Sequence, residues 1–307
     1  MKRSLFTISV SLVITILASA CSLMPAPVPQ TIEMTDGLDR AVSLAAPAQR
    51  IVSLAPSNTE ILFALGAGSQ VVGRDDFSDD PEQALAVPSV GGSMGSYNLE
   101  AITALNPDLV LAAEINTPDQ VQSLQDLGIT VFYLSNPVDL EGMYNNLKIV
   151  GQLTGHSTEA ETLVASLRKR VDAVNTAVAN AATTPVVFYE LDGSEPSKPW
   201  TTGSGTFLDA LITQAGGVNA AADLNGQYGQ LSIEALLLRN PDIILLGDAA
   251  YGMTAEQVAA RPGWNALTAV QTNQIYGFDD DMVSLPGPRL VDGLETLAKL
   301  IHPELFK

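Results

Sequence analysis

Two glutamates, Glu100 and Glu234, occupy the same place in two copies of one short pattern. Residues 98–112 read NLEAITALNPDLVLA and residues 232–246 read SIEALLLRNPDIILL, an offset of 134 residues. Each copy holds Glu-Ala, then Asn-Pro-Asp at the same distance, then a branched apolar run. An acid two residues after a helix N-cap stabilises the helix start, and that local role is the plain reading of either glutamate alone. Other groups that could do chemistry are sparse. The two histidines, His156 and His302, lack metal-ligand spacing and read as surface residues. TTGSGT is glycine-rich but is neither G-x-S-x-G nor a phosphate loop, and no histidine is paired with it. Asp279, Asp280 and Asp281 read as solvated acids after a strand. These residues argue for no catalytic site and no bound metal.

Positioning these residues takes a frame. RIVSLA (50–55) is β-rich, and PSNTE opens a helix, ILFALGAG, that Asn58 or Thr59 can cap. QVVGRDD is a further strand. In the first copy Asn98 is the N-cap, and Asn106-Pro107 ends the helix because the residue before proline avoids helical angles. LVLAA is apolar without alternation and reads as a buried strand. A helix near 118–127 and the strand ITVFYL complete the unit. Residues 139–182 keep helical spacing with one break near Thr154-Gly155. From Ser157 to about Ala182 there is no proline or glycine, so the spacing predicts a helix of about 25 residues, some 37 Å long. The α/β pattern then resumes: strand PVVFYEL, loop DGSEPSKPWTTGSG, helix FLDALITQAGG, the second copy capped by Ser232, strand NQIYGFD, and a last helix over 286–301. Alternating strands and helices predict parallel sheets covered on both faces. The expected fold is α/β, with two Rossmann-like lobes over 48–138 and 185–307. One long helix within 139–184 joins them, and a ligand cleft lies between them.

The chain has 307 residues, 46% hydrophobic and 16% charged, enough for a large core or two modest ones. Its start reads as a segment apart from the fold. Lys2 and Arg3 precede an apolar run from Leu5 to Ala18, then Leu17-Ala18-Ser19-Ala20-Cys21, the pattern of a secretory signal over 1–20. The small residues before Cys21, the chain's single cysteine, resemble a bacterial lipobox, which implies lipidation of Cys21 and attachment to the membrane. Residues 21–47 then read as a tether, proline-rich over 22–30, so the body is expected outside the cytoplasmic membrane. Loss of residues 1–20 removes Lys2 and Arg3 and no acid, taking the net charge from −19 to −21. A body this acidic repels nucleic acid. Its charge serves solubility or docking onto a basic partner.

RIVSLAPSNTEILFALGAGSQVVG, NLEAITALNPDLVLA, the long helix and RPGWNALTAVQTNQIYGFDDD, in that order, resemble the helix-linked substrate-binding proteins of ABC importers. These take up vitamin B12, ferric siderophores or haem. The likeness covers about residues 48–304. It implies a monomeric receptor with no chemical step, in which one exposed glutamate per lobe, here Glu100 and Glu234, meets arginines on the two halves of a dimeric permease. Physics agrees, since a two-fold partner needs two matching patches and carboxylate–arginine pairs are geometrically selective.

Ligands of open α/β sheets bind beyond the carboxyl ends of the strands, which in two lobes means the cleft. The loops there hold Pro56, Ser57 and Asn58; Phe77; Met94 and Tyr97; Trp200; and Tyr228. Matched to the family's vitamin B12 binder, Phe77, Trp200 and Tyr228 fall on aromatic positions. Met94, with Tyr97 three residues on, replaces one tryptophan, and Ala113 another. The expected ligand is a corrinoid, cobalamin, with no resident cofactor. Ferric siderophores are the rival; they tend to be met by arginines, and the loops offer Arg74, Lys198 and Arg289, the last read as an anchor of the final helix. Haem would want Tyr97 or Tyr228 on iron. An enzyme and a passive surface protein are the readings from other classes.

Overall fold

The computed structural model describes residues 31–93 and 95–306. The signal segment, Cys21, residues 22–30 and Met94 lie outside the described residues. The chain begins with an antiparallel hairpin, β1 (Ile32–Thr35) and β2 (Ala41–Leu44), that pairs Ile32 with Leu44. Val42 and Leu44 alternate inward and are buried. Asp36 lies in the turn, pairs with Arg40 and accepts a hydrogen bond from the Tyr133 N–H at 3.2 Å. Burial alone would raise the Asp36 carboxyl, but Arg40 and three backbone donors outweigh it and hold it below its ordinary value. Residues 31–47 are therefore packed against the first lobe. The tether expected over 21–47 is shorter by this hairpin, whose two-residue alternation is its signal.

In the first lobe come β3 (Ile51–Ser53), α1 (Pro56–Ala64), β4 (Val71–Arg74), α2 (Leu99–Ala104), β5 (Leu109–Ala113), α3 (Pro118–Asp126) and β6 (Val131–Leu134). The strands pair in parallel in the order β4-β3-β5-β6. Every residue of β3, β5 and β6 is buried, as expected of a sheet covered on both faces. Helix α1 starts one turn earlier than Asn58 or Thr59 would set it. Ala55 is its N-cap, without a side-chain cap, because Pro56 at the first position is pre-set for a helix and needs no N–H partner. The Thr59 hydroxyl instead donates to Ser53 Oγ at 2.8 Å in the core.

Two antiparallel helices follow, and the second crosses to the second lobe. α4 (Leu140–Thr154) is capped by Asp139 and closed by Gly155 at φ 81°. α5 (Ser157–Val178) has 22 residues, about 33 Å. It ends before Ala182 because its buried stripe, Ala160, Val164, Leu167, Val171 and Val174, runs out there and the Asn180 side chain turns back onto the Thr176 carbonyl at 3.0 Å.

In the second lobe come β7 (Val186–Glu190), β8 (Trp200–Thr202), α6 (Phe207–Gln214), β9 (Val218–Asn219), β10 (Tyr228–Gln230), α7 (Ile233–Arg239), β11 (Ile243–Leu246), α8 (Ala255–Ala259), α9 (Thr268–Gln271), β12 (Ile275–Gly277), α10 (Asp281–Ser284) and α11 (Leu290–Ile301). The parallel order is β12-β11-β7-β9. Arg170 of α5 pairs with Asp292 and, at 2.8 Å, with Glu295 of α11. One apolar core runs from Ile51 and Leu109 through Leu147 and Leu167 to Val187 and Leu294, so the linker helices belong to the cores of both lobes. Each fully buried Leu or Ile in that run stabilises by about 1.5–3 kcal/mol. His302, expected at the surface, is 1% exposed, with Nε2 3.2 Å from the Gly216 carbonyl oxygen; the end of α11 packs it against the glycine turn after α6.

Candidate functional site

The carboxyl ends of both sheets carry the candidate ligand residues. Asn116, beyond β5, accepts the Ala113 N–H on Oδ1 at 2.8 Å and donates to the Leu54 carbonyl at 3.1 Å. It also donates to the Tyr97 hydroxyl at 2.7 Å, and that hydroxyl donates to Leu54 O at 3.0 Å. Burial, reinforced by the nearby Asp75 charge, pushes the Tyr97 phenol up to about 12. Phe77 is 52% exposed, on a turn where its N–H donates to Asp75 Oδ1 at 2.8 Å. Ser57 and Asn58 are buried, because the early start of α1 turns them inward; Asn58 Nδ2 has no hydrogen-bond partner. Ala113 is buried at the end of β5.

In the second lobe the loop expected over 192–205 contains β8, which pairs antiparallel with β10. The register sets Trp200 opposite Gln230 and Thr202 opposite Tyr228, so Trp200 and Tyr228 are diagonal neighbours on one face. They are 42% and 59% exposed. Tyr228 stands over a small cavity with Thr202, Thr206 and Asp280, where the Tyr189 hydroxyl donates to Asp280 Oδ1 at 2.5 Å. Burial, with the Asp280 charge beside it, raises the Tyr189 phenol.

A larger cavity of about 400 Å³ lies where β7 and β11 end, lined by Leu191, Asp192, Ser194, Asp248, Tyr251 and Met253. None of these was singled out from sequence. The available signal was Tyr251, an aromatic five residues past a fully apolar strand.

Two of the three candidate cations are already engaged. Arg74 donates to the carbonyls of Ala84 and Asp75 at 3.0 and 2.8 Å. Arg289 pairs with Glu60 at 2.6 Å and lies 3.5 to 3.9 Å from Asp80, Asp279 and Asp281. Lys198 is exposed. Among the described residues no group of three or more His, Cys, Asp or Glu converges as a metal site, and no helix is long and apolar enough to cross a membrane.

The repeat builds the same corner in each lobe. Asn98 accepts the Ala101 N–H at 2.9 Å and Ser232 the Ala235 N–H at 3.2 Å, leaving Glu100 and Glu234 exposed in the first turns of α2 and α7. The Glu234 carboxyl is held below its ordinary value by the backbone at its own helix start and by Ser232. Asn106 and Asn240 end the two helices at φ 47° and 43°. Asp108 then accepts the N–H groups of Gln49 and Arg50 at 2.8 and 3.0 Å, and Asp242 that of Val186 at 2.8 Å. The Asn-Pro-Asp half of the repeat thus ties each helix to the first strand of its own lobe; the glutamate makes no such tie.

Residues 51–282 match the model of a family described as periplasmic binding protein. The chain belongs to that family. Among its relatives is an uncharacterized ABC transporter substrate-binding lipoprotein of Bacillus subtilis (strain 168), 33% identical over 91% of this chain and 87% of that protein. A cobalamin-binding protein of Halobacterium salinarum is 31% identical over 95% of this chain and 83% of that one. The solved structure of a periplasmic haem-binding protein from Roseiflexus sp. RS-1, in apo form, superposes with a TM-score of 0.74 at 28% identity, over 84% of this chain and 99% of that one. The expected family and the two-lobed parallel fold both stand.

Proposed function

We propose that this protein is the extracytoplasmic substrate-binding protein of an ABC importer. In this reading it captures a corrinoid, cobalamin, between its lobes and delivers it to a dimeric permease, with Cys21 as its lipid anchor and Glu100 and Glu234 as its docking acids. The observation that carries the ligand reading is the contrast between rings and cations. Phe77, Trp200 and Tyr228 hold exposed aromatic surface at the carboxyl ends of the strands, which suits a large flat macrocycle. Arg74 and Arg289, which an anionic ferric siderophore would need, are already engaged. The cobalamin-binding relative from Halobacterium salinarum supports the same choice. Haem coordination through Tyr97 is disfavoured, because that hydroxyl is held by Leu54 and Asn116. Met94 joins the proposed ligand wall from its sequence position alone.

The test is isothermal titration of the full chain in mild detergent with cyanocobalamin, ferric hydroxamate and catecholate siderophores, and haemin. Sub-micromolar binding of cyanocobalamin alone is expected. Heat with a siderophore or haemin and none with cyanocobalamin overturns the corrinoid reading while leaving family and fold untouched.

A further inference from the structure

We propose that the cavity walled by Leu191, Tyr251 and Met253 above Asp248 is a side pocket of the ligand cleft. There the Asp248 carboxylate takes an uncharged, hydrogen-bond-donating arm of the transported molecule, an amide or an alcohol. The inference rests on the corrinoid reading and adds a subsite to it.

Position argues first. The pocket forms at the carboxyl ends of adjacent parallel strands, β7 leading into Leu191 and Asp192 and β11 into Gly247 and Asp248, where open α/β sheets hold ligands. It adjoins the aromatic rim. Leu191 lines both this pocket and the cavity under Tyr228. Leu191 and Trp200 share a backbone hydrogen bond at 2.9 Å, as do Trp200 and Asp192. At about 400 Å³ the space holds a side arm of a macrocycle and not the macrocycle itself.

Chemistry argues second. Asp248 is 8% exposed. Its Oδ2 accepts the Gly193 N–H at 2.8 Å, while Oδ1 is sealed from solvent and has no hydrogen-bond partner. A buried acceptor without a donor is a cost that native structures rarely leave unexplained. The missing partner is a donor. Met253 is an adaptable wall of the same cavity, steadied by the Arg261 Nη2 group 3.3 Å from its sulfur. Tyr251 is 92% exposed, an aromatic face at the opening that packs on nothing of its own. Gly252, at φ 95°, reverses the chain so that Tyr251 and Met253 flank one opening.

Charge fixes the class of arm. The nearest cation, Arg261, is buried and held in two hydrogen bonds by Glu190, at 2.5 and 2.8 Å. Asp192 and Asp248 leave the pocket with excess negative charge, so it rejects carboxylate and phosphate arms and admits donors, which on a corrinoid are uncharged amides and an alcohol. Burial, partly offset by the Gly193 N–H, raises the Asp248 carboxyl from its ordinary value, in keeping with a site built for hydrogen bonding.

The experiment titrates the full chain with cyanocobalamin and with its monocarboxylic acids, in which single peripheral amides are hydrolysed. One of these is expected to bind at least tenfold more weakly than the parent while the others match it. Asp248→Asn is expected to recover most of that loss. Tyr251→Ala, a surface change, is expected to weaken cyanocobalamin at least fivefold with an unchanged melting temperature. Equal binding of all the acids by the wild type, or the same pattern in Asp248→Asn, overturns the pocket and leaves the corrinoid reading standing. If the wild type ignores cyanocobalamin, the corrinoid reading fails. The two variants are then titrated with ferrichrome, an uncharged ferric hydroxamate whose amides also donate, and affinity equal to wild type overturns the pocket too. Binding of neither probe overturns both.

Discussion

Tyr97 shows how one side chain's partners decide what it can do. Its ring is half-buried beside the candidate cleft, and its hydroxyl closes a small network with Leu54 and Asn116. Burial pushes its phenol up to about 12, and the two hydrogen bonds of the hydroxyl would have to break before it could reach ferric iron. Tyr97→Phe is expected to cost about 1 kcal/mol, the usual net worth of one hydrogen bond, in urea unfolding with an unchanged slope. Because the ring remains, cyanocobalamin affinity should move less than about threefold; a tenfold loss would mean that the hydroxyl touches ligand. The sequence makes Tyr97 visible as an aromatic in a loop, but not its engagement, since Leu54 and Asn116 come from the ends of two other strands. The pocket at Asp248 was illegible for the same reason. A cavity is made by chain segments that meet only after folding.

At the scale of elements, legibility follows how local the determining interactions are. The caps Asn98 and Ser232 were readable because an N-cap bonds only three residues ahead. The strands LVLAA and IILL were readable from unbroken apolar runs. The β8–β10 ribbon was missed because three-residue strands owe their order to the partner, not to their own periodicity. The repeat also separates two roles that sequence blends. Asn98→Ala or Ser232→Ala should each lower stability by about 1 kcal/mol and leave uptake in cells intact, because the glutamates stay in place on the helices. Glu100→Ala with Glu234→Ala should do the reverse, abolishing uptake while retaining ligand binding and nearly all thermal stability. Normal uptake in that double variant would return both glutamates to a purely local role.

At the scale of the molecule, the lobes are joined twice, through the apolar core of α4 and α5 and through an ion cluster. Glu60 of α1 reaches across to Arg289, ahead of α11, with Asp80 from its own lobe and Asp279 and Asp281 from the other close by. Four carboxylates facing one guanidinium leave excess negative charge there, with Glu60 the buried member and the three aspartates about half exposed. Burial drives the Glu60 carboxyl up to about 7 from an ordinary 4.5, against the pull of Arg289. The folded protein therefore binds a proton there that the unfolded chain releases between those two values. The stability this proton contributes is fully present below about pH 4.5 and is lost as pH rises through about 7. The shift sets an upper bound of about 3 kcal/mol. Glu60→Gln keeps an acceptor for Arg289 and cannot titrate, so its stability should fall less than that of the wild type between pH 4.5 and 7. Asp281, raised by burial as well, retains its share of the slope in both proteins. Identical slopes in chemical unfolding at matched pH would show that Glu60 does not carry the proton. A flattened slope would mean that a contact bridging the two lobes is also where the fold responds to pH.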